Sequence, residues 1–518
     1  MQTPDQTSGA HNSSWLATAE RPTFAPLAEN TAADVVVVGA GLAGLTTAYL
    51  LTREGRRVLV LEDGEIVSGE TGRTTAHLSN ALDDRYYHLE SLFGQDGARL
   101  AAQSHGAAID RIEAIVAAEN IRCDFTRLDG YLFLPKNGDP KELDDELEAA
   151  RRAGLTGVQR LAEAPVQGFR TGQCLRFPGQ GQFHPVHYAI GLARAIEQGG
   201  GRICTGTRVR EVQGGEQARV VTESGLEVTA RHIVVATNTP FNDRVVMHTK
   251  QAPYRTYALA LRVPQGSVSK ALYWDTPDPY HYIRLQEVHE PAVSGDAYDL
   301  LIVGGEDHKT GQEDDYAERF RCLEEWTREN FPTAQQVEFR WSGQVMEPVD
   351  ALGYAGRNPL DADNVFIITG DSGHGMTHST LGAMIVTDLI EGRDNPWAKL
   401  YDPGRVTLKP SAVKEFVKEN ANVAAEYTDL VTGGDVDKEE DIQPGSGAVL
   451  RSGLSKVAVY RDPTGQTHKC SAICPHLGCV VHWNSEEKSW DCPCHGSRFT
   501  AYGELVNGPA DRGLAKEE

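Results

Sequence analysis

The sequence predicts an α/β protein in which a dinucleotide-binding domain is followed by a small C-terminal domain that holds a metal cluster. The first observation is a strand, glycine-rich turn, helix and strand that begin at Asp34 and end on Glu62. The second is a pair of short Cys/His motifs near the end of the 518-residue chain. A third is another glycine-rich turn, residues 370–376, placed between a strand and a helical pattern.

The N-terminal motif has the spacing of a phosphate-binding turn. Gly39 permits the tight turn, Gly41 lets the backbone approach a pyrophosphate, and Gly44 lets the helix pack on the strand. The amides at the start of the helix would face the phosphates, and Glu62 would accept hydrogen bonds from ribose hydroxyls. The motif predicts a dinucleotide without choosing NAD over FAD. Its candidate cofactor-binding residues are Gly39, Gly41, Leu42, Ala43, Gly44 and Glu62.

The choice of cofactor comes from later segments. A buried strand ends in the polar turn Ala236–Thr237, and another precedes the turn of residues 370–376. Two glycine-rich helix starts so far apart in sequence indicate a large cofactor that is touched by distant parts of one domain.

The two Cys/His motifs predict a metal centre. Cys474 and His476 form one C-x-H pair, and Cys492 and His495 form a C-x-x-H pair. Two thiolates on one iron and two imidazoles on the other are the ligands of one type of [2Fe–2S] cluster. A structural zinc site uses the same residue types, but it usually pairs like residues in each loop.

Composition excludes some classes of partner. The chain has 50 Lys+Arg and 73 Asp+Glu, a net charge of −23, which argues against nucleic acid and anionic membranes as partners. No apolar run approaches the roughly 20 residues of a membrane span. We therefore expect a cytoplasmic protein with no membrane span.

Residues 30–400 resemble the FAD-dependent oxidoreductases of the D-amino-acid oxidase type, and the Cys/His region resembles a Rieske [2Fe–2S] domain of the disulfide-bearing kind. The first resemblance depends on the N-terminal motif, the turn after Val235, the Trp341–Gly343 segment and the turn of residues 370–376. It implies an α/β FAD-binding domain (Rossmann-like, of the glutathione-reductase type), a substrate domain with an antiparallel sheet, and an all-β Rieske domain. It also implies a Cys479–Cys494 disulfide.

The implied division of the chain is discontinuous. The FAD-binding domain is expected to take residues 30–88, 165–250 and 343–400. The substrate domain is expected to take residues 89–164 and 251–342. Residues 401–436 are expected to form a helical connector, and residues 437–518 are expected to form the Rieske domain.

The resemblance also assigns residues to FAD. Val209 matches a position that meets adenine, and the segment around His77 passes beside the isoalloxazine ring. The turn of residues 370–376 lies against the same ring in the family. The candidates added in this way are Arg73, Thr74, Thr75, His77, Val209, Ala236, Thr237, Gly370, Asp371, Gly373, His374, Gly375 and Met376.

Candidate catalytic residues come from the interval expected to roof the flavin: Arg255, Tyr257, His281 and His308, with Tyr280, Tyr282 and Arg284 beside them. An Arg there could clamp a substrate carboxylate with two hydrogen bonds. The alternative is a solvated strand face that touches no substrate.

We expect an enzyme that oxidises a C–N bond of a small amine or amino acid by hydride transfer to FAD. Electrons would then pass singly to the Rieske cluster and on to an external ferredoxin, cytochrome or quinone-linked carrier. One alternative is a 2-hydroxy-acid dehydrogenase. Another is an electron-transfer component that serves a partner enzyme.

One residue refines the expectation for the cluster. In disulfide-type Rieske domains a Ser and a Tyr after the second loop donate hydrogen bonds to sulfur and raise the potential. Ser497 matches the first, but Phe499 stands at the tyrosine position. The missing donor predicts a lower potential than that of respiratory centres.

Overall fold

The computed structural model describes residues 10–242, 245–288, 297–453 and 455–517. Its helices are α1 (Ser14–Ala17), α2 (Leu42–Arg53), α3 (Tyr86–Ala118), α4 (Pro140–Arg152), α5 (Pro185–Gln198), α6 (Tyr316–Asn330), α7 (Gly375–Ile390) and α8 (Pro410–Glu426). Short 3-10 turns occupy Glu70–Arg73, Met247–Thr249, Tyr427–Leu430 and Glu439–Asp441.

The strands of the first half are β1 (Thr31–Ala32), β2 (Val35–Val38), β3 (Val58–Leu61), β4 (His77–Leu78), β5 (Thr126–Phe133), β6 (Gln159–Leu161), β7 (Cys174–Gln182), β8 (Arg202–Cys204), β9 (Val209–Gln213), β10 (Arg219–Thr222), β11 (Glu227–Thr229) and β12 (His232–Val235). Those that follow are β13 (Gln251–Pro264), β14 (Leu272–Asp275), β15 (His281–Glu287), β16 (Tyr298–Lys309), β17 (Val337–Pro348), β18 (Tyr354–Arg357) and β19 (Val365–Thr369). The C-terminal strands are β20 (Ser446–Ser452), β21 (Ser455–Arg461), β22 (Thr467–Ser471), β23 (His482–Asn484), β24 (Ser489–Asp491), β25 (Arg498–Thr500) and β26 (Leu505–Asn507).

A six-stranded sheet forms the centre of the molecule, in the order β18-β19-β12-β2-β3-β8. All its pairs are parallel except β18 with β19. Strand β2 is entirely buried because both faces are covered. Val35 and Val37 pack in the cluster that includes α2 and α7, whereas Val36 and Val38 pack against the small sheet β1-β11-β10-β9. This is the predicted α/β dinucleotide-binding fold.

The second large sheet has nine strands, in the order β17-β13-β16-β15-β14-β5-β7-β4, with β6 paired to β7. It is antiparallel apart from the β14–β5 pair. Helix α6 packs on one face through Tyr316, Phe320 and Leu323. The sheet takes in β4 and β7, from segments that the predicted boundaries placed in the FAD-binding domain. The antiparallel sheet of the prediction is present, and the domain boundaries remain a prediction.

The C-terminal region is all-β, as predicted. A three-stranded sheet, β20-β21-β22, and a four-stranded sheet, β23-β24-β25-β26, share one core. Helix α8 lies in the expected connector and packs on this core through Val423. Within the described ranges no helix is both long and apolar enough to cross a membrane.

Candidate functional site

A cavity of about 300 Å³ opens at the carboxyl ends of β2, β3, β12 and β19, where α/β folds bind nucleotides. The nine-stranded sheet forms another wall through β13, β15, β16 and β17, and the C-terminal domain contributes residues 505–508, 510 and 511. The cavity therefore lies where three parts of the chain meet.

The glycines of the first turn form a backbone cradle. Gly39 has φ +103°, and a Cβ there would lie 2.5 Å from the carbonyl oxygen of Ala236. A Cβ on Gly44 would lie 1.9 Å from the carbonyl oxygen of Gly39. The N-cap residue of α2 is Gly41, which has no side chain to cap the helix. The first turn of α2 therefore faces the cavity with a positive dipole end, which suits the pyrophosphate of FAD.

Glu62 lies at the end of β3, in the position that the motif predicts. Its Oε2 accepts a hydrogen bond from the Ala40 amide at 2.5 Å, and its Oε1 accepts one from the Gly64 amide at 3.1 Å. Burial raises the pKa of Glu62 well above its usual range. Val209 lines the same end of the cavity. This end therefore has the carboxylate and the apolar contact that an adenosine moiety requires.

Nearly all of the predicted FAD contacts line the cavity. They are Gly39, Gly41, Leu42, Ala43, Glu62, Arg73, Thr74, Thr75, His77, Val209, Ala236, Thr237, Asp371, Gly373, His374, Gly375 and Met376. Gly44 and Gly370 do not, since each is a packing position: Gly44 lies against Gly39, and a Cβ on Gly370 would meet Gln251 Oε1 at 3.0 Å. Contact with FAD at each position stays a prediction.

Burial lowers the pKa of the three histidines among the described cavity residues, His77, His374 and His378. Burial lowers the pKa of His77 to about 3, and its ring nitrogens lie 3.0 Å from Thr75 Oγ1 and 3.3 Å from the Ile283 carbonyl oxygen. Burial also lowers the pKa of His374, whose Nε2 accepts a hydrogen bond from the Asp83 amide at 2.9 Å. His374 therefore carries its proton on Nδ1.

None of the four predicted catalytic residues lines the cavity. Side chains alternate between the two faces of a strand, and the cavity face carries their sequence neighbours. These are Thr256 and Ala258 beside Arg255 and Tyr257, and Tyr280, Tyr282 and Asp307 beside His281 and His308. The predicted strands do roof the cavity, but the four chosen residues lie on their far side.

The far-side residues have structural contacts instead. Tyr257 Oη donates to His308 Nε2 at 2.8 Å, beneath α6. The His281 ring stacks on Trp326 with ring centroids 4.0 Å apart. Although burial alone would lower it, the hydrogen bond to Asp275 and the Glu306 carboxylate, 3.7 Å from Nε2, raise the pKa of His281 to about 9.

Arg255 and Arg284 are fully buried away from the cavity. Arg255 Nη1 donates to Ser342 Oγ at 2.5 Å and lies 3.9 Å from Glu487 Oε1 of the C-terminal domain. Arg284 Nη1 donates to the carbonyl oxygens of Ala76 and Phe183 at 2.9 and 3.0 Å. Neither guanidinium is placed to clamp a substrate.

Acidic and aromatic side chains line the part of the cavity beneath the nine-stranded sheet. Asp83 Oδ2 accepts a hydrogen bond from Tyr280 Oη at 3.2 Å, and Tyr282 Oη lies 2.5 Å from Thr256 Oγ1. Asp307 Oδ1 is buried without a hydrogen-bond partner among the described residues. Burial raises the pKa of Asp307 to about 7.

A second carboxyl pair lies beside these residues. Ser372 Oγ lies 2.9 Å from Asp84 Oδ2 and 3.0 Å from Glu347 Oε2, and burial raises the pKa of Asp84 to about 7. Sequence reasoning missed Asp83, Asp307 and Glu347. Alternation alone could not have found Asp307, because Tyr282 pairs with Gly304 and a regular strand would place Glu306 on the same face. The irregularity between Gly305 and His308 places Asp307 on the cavity instead.

The four predicted cluster ligands come together at one end of the C-terminal domain. The thiols of Cys474 and Cys492 are hydrogen-bonded to each other, which lowers the pKa of Cys474. The rings of His476 and His495 lie with centroids 5.0 Å apart. Burial lowers the pKa of His495 to about 3, so the ring is neutral, as a metal ligand must be. Two sulfur and two nitrogen donors on adjacent loops fit the predicted cluster.

The predicted disulfide is present between Cys479 and Cys494, with Cα atoms 6.4 Å apart. It joins the two ligand loops and leaves Cys474 and Cys492 as the thiols available to iron. His248, from the segment before β13, packs on both imidazoles, with centroids 4.7 Å from His476 and 5.7 Å from His495. The histidine side of the cluster therefore faces the rest of the chain.

Comparison with known proteins agrees with this geometry. Residues 34–389 match the family described as FAD dependent oxidoreductase, and residues 434–517 match the Rieske [2Fe-2S] domain. The Bacillus subtilis (strain 168) protein YhfW, named as a Rieske 2Fe-2S iron-sulfur protein, is 32% identical over 505 residues and 96% of each chain. The gamma-glutamylputrescine oxidoreductase of Escherichia coli (strain K12) is 28% identical over 400 residues, 74% of this chain and 89% of its own.

Solved structures show the same fold. Glycine oxidase from Geobacillus kaustophilus aligns with a TM-score of 0.59 at 19% identity, over 72% of this chain and 99% of its own. An L-amino acid deaminase from Proteus vulgaris aligns with a TM-score of 0.58 at 20% identity, over 78% and 98%. The family match implies FAD, and the Rieske match implies a [2Fe–2S] cluster in place of zinc.

Proposed function

The chain belongs to the family of FAD-dependent oxidoreductases and carries a Rieske [2Fe–2S] domain, and from this we propose that it oxidises a C–N bond of a small amine. When bound, FAD supplies a two-electron acceptor for the C–H bond beside nitrogen, and the cluster supplies a one-electron acceptor. The observation that supports an amine is the acidic, aromatic lining of the cavity beneath the nine-stranded sheet.

This lining suits a cationic substrate. Asp307 presents a carboxylate oxygen without a hydrogen-bond partner among the described residues, and Asp83 lies on the same cavity. Trp274, Tyr280 and Tyr282 supply ring faces that attract ammonium groups. A carboxyl group with a pKa near 7 is also suited to take a proton from an ammonium group before the C–H bond is broken.

The same cavity does not suit a carboxylate. Among the described residues that line it, the Lys and Arg side chains are Arg73 and Arg208. Arg208 lies 2.9 Å from Asp63 at the adenosine end, and Arg73 Nη1 donates to the His11 carbonyl oxygen at 2.9 Å. Among the described cavity residues, no Lys or Arg is therefore free to bind a substrate carboxylate beneath the nine-stranded sheet. This favours an amine over an amino acid or a 2-hydroxy acid as the substrate.

Gln344 connects the cavity to the cluster loops. It lines the cavity, and its Nε2 donates to the carbonyl oxygen of Gly496, next to His495, at 3.1 Å. Thr310 Oγ1 lies 3.3 Å from Gln344 Oε1 and holds the amide in this orientation. We take this buried connection as the route by which electrons leave the cavity one at a time, for an external one-electron carrier.

Relatives support both halves of the proposal. The name of the Escherichia coli relative includes an amine, gamma-glutamylputrescine. Over 66 residues the chain is 44% identical to the cytochrome b6-f complex iron-sulfur subunit of Microcystis aeruginosa (strain NIES-843 / IAM M-2473). Its name describes an iron–sulfur subunit of a cytochrome complex, in keeping with a single-electron role here.

Anaerobic mixing with matched substrates tests the proposal. The pair 1,4-diaminobutane and ornithine differs by an α-carboxylate, and 2-hydroxybutyrate represents the hydroxy acids. We expect the amine to bleach the flavin absorbance and then to give the electron paramagnetic resonance signal of a reduced cluster. Bleaching by ornithine or 2-hydroxybutyrate, but by none of a series of amines, would contradict the amine proposal. Reduction only by a reduced ferredoxin or NAD(P)H would favour the electron-transfer component.

A further inference from the structure

Residues of the C-terminal domain form part of the wall of the FAD cavity. Strand β26 and the turn after it contribute Leu505, Val506, Asn507, Gly508, Ala510 and Asp511 to the lining. Strand β26 pairs with β25, which begins three residues after the predicted cluster ligand His495. We propose that the Rieske domain completes the FAD site, so that FAD binding and docking of this domain stabilise each other. The proposal depends on the cofactor assignment and not on the substrate.

Direct hydrogen bonds hold the segment on the FAD-binding part of the chain. Arg208 Nη2 donates to the Leu505 carbonyl oxygen at 3.0 Å, and Arg208 is itself held by Asp63 at 2.9 Å. Asp63 follows Glu62, and Arg208 precedes Val209. The segment therefore covers the adenosine end of the cavity, opposite the residues that the dinucleotide motif assigns to ribose and adenine.

A second contact reaches the other side of the same cavity. Asn507 Nδ2 donates to Glu70 Oε1 at 3.3 Å. Glu70 Oε2 accepts a hydrogen bond from the backbone amide of Gln344 at 2.7 Å. Asn507 and Gln344 both line the cavity. One carboxylate thus joins the Rieske segment to the strand that carries the connection to the cluster loops.

The segment is also tied to the cluster side of its own domain. The Ala510 amide donates to Ser497 Oγ at 3.0 Å, and Ser497 in turn is hydrogen-bonded to the cluster ligand Cys474. A displacement of residues 505–511 would therefore disturb the FAD wall and the surroundings of the cluster together.

The remaining interface favours one docked arrangement. Glu487 and Arg498 of the Rieske domain are 1% and 0% exposed, and Ser342 Oγ donates to Glu487 Oε1 beside Arg255. Burial alone would raise the pKa of Glu487, but the His11 ring and the Arg73, Arg255 and Arg498 guanidinium groups hold it below its usual range. Separation of the domains would take Glu487 away from Ser342 and Arg255, so partial separation is disfavoured.

Hydrogen exchange on the full chain tests the coupling. FAD is removed from the holoprotein, and exchange of backbone amides is compared with and without FAD. Because a ligand that binds the docked form stabilises that form, we expect faster exchange without FAD in residues 505–511 and 487–498 as well as in β2 and α2. Residues 455–471 of the same domain lie away from the cavity and serve as the internal reference. Faster exchange confined to the FAD-binding strands would overturn the proposal.

A substitution on the Rieske side gives a second measurement. Loss of one hydrogen bond at the cavity wall in Asn507→Ala is expected to raise the FAD dissociation constant by about 5- to 10-fold. The cluster signal should stay unchanged, which shows that the domain is folded. Gln466→Ala, an exposed amide of the same domain, is the matched control and should bind FAD as the wild type does. Wild-type FAD affinity in Asn507→Ala would also overturn the proposal.

Discussion

Asp307→Asn is the substitution that bears most directly on the amine proposal. It keeps the size of the side chain and removes the charge from the cavity oxygen that has no hydrogen-bond partner among the described residues. A charge-assisted hydrogen bond contributes about 1.5–3 kcal/mol, and 1.36 kcal/mol is a factor of ten. We therefore expect kcat/KM for the amine to fall by about 10- to 150-fold.

The pH dependence gives a second, independent readout. Burial raises the pKa of Asp307 to about 7, so the carboxyl group is protonated below this pH and cannot pair with an ammonium ion. For the wild type, kcat/KM should decrease as the pH falls through 7, and this decrease should be absent in Asp307→Asn. Stopped-flow flavin reduction at a series of pH values measures both effects.

The adjacent residue provides a matched control. Glu306 precedes Asp307 on β16 but does not line the cavity, so Glu306→Gln should keep the wild-type kcat/KM above pH 7. Its pH profile should keep its shape and move slightly to lower pH, because the Glu306 charge helps to raise the pKa of Asp307. Equal losses in the two variants would show that charge near β16, and not contact with substrate, is responsible. A wild-type profile in Asp307→Asn would refute the assigned role.

Three further predictions concern other parts of the chain. Gln344→Leu removes the hydrogen bond to Gly496, so cluster reduction should slow while flavin reduction by substrate stays at the wild-type rate. If the variant reduces the cluster as fast as the wild type does, Gln344 is not part of the electron route. Because the folded pKa of His281 is about 9 and its ordinary value is 6.5, its stabilising contribution is full below pH 6.5 and is lost as the pH rises through 9. The free energy of unfolding, measured in urea at a series of pH values, should show this loss in the wild type and not in Asp275→Asn. The same pH dependence in both proteins would contradict the assignment. Phe499→Tyr should raise the cluster potential in a redox titration by adding a donor near sulfur, and an unchanged or lower value would count against that reasoning.

Much of the cofactor chemistry was predictable because it depends on short stretches of sequence. The cradle at Gly39 and Gly44 and the acid at Glu62 are set by spacing within one strand–turn–helix–strand unit. The cluster ligands lie in two short loops with characteristic spacing, and the resemblance to disulfide-bearing Rieske domains implied the Cys479–Cys494 disulfide that the structure contains.

The roof of the cavity could not be predicted in the same way. On β13 and β16 the choice between Arg255 and Thr256, or between His308 and Asp307, depends on which face of the strand meets the cavity. The β13–β16 pairing also shifts between Arg255 and Tyr257, which changes the parity along the strand. Polar residues on both faces removed the hydrophobic alternation that would have resolved it.

The sequence alone therefore determined a dinucleotide site and the cluster ligands, since each depends on local spacing within a short segment. FAD, the fold class and the family followed from the resemblance of several segments taken together. Only the tertiary structure decided which side chains line the cavity and that residues 505–508, 510 and 511 of the Rieske domain form part of its wall. Those contacts join segments that are hundreds of residues apart. Their positions depend on strand register and domain docking, which short-range patterns do not encode.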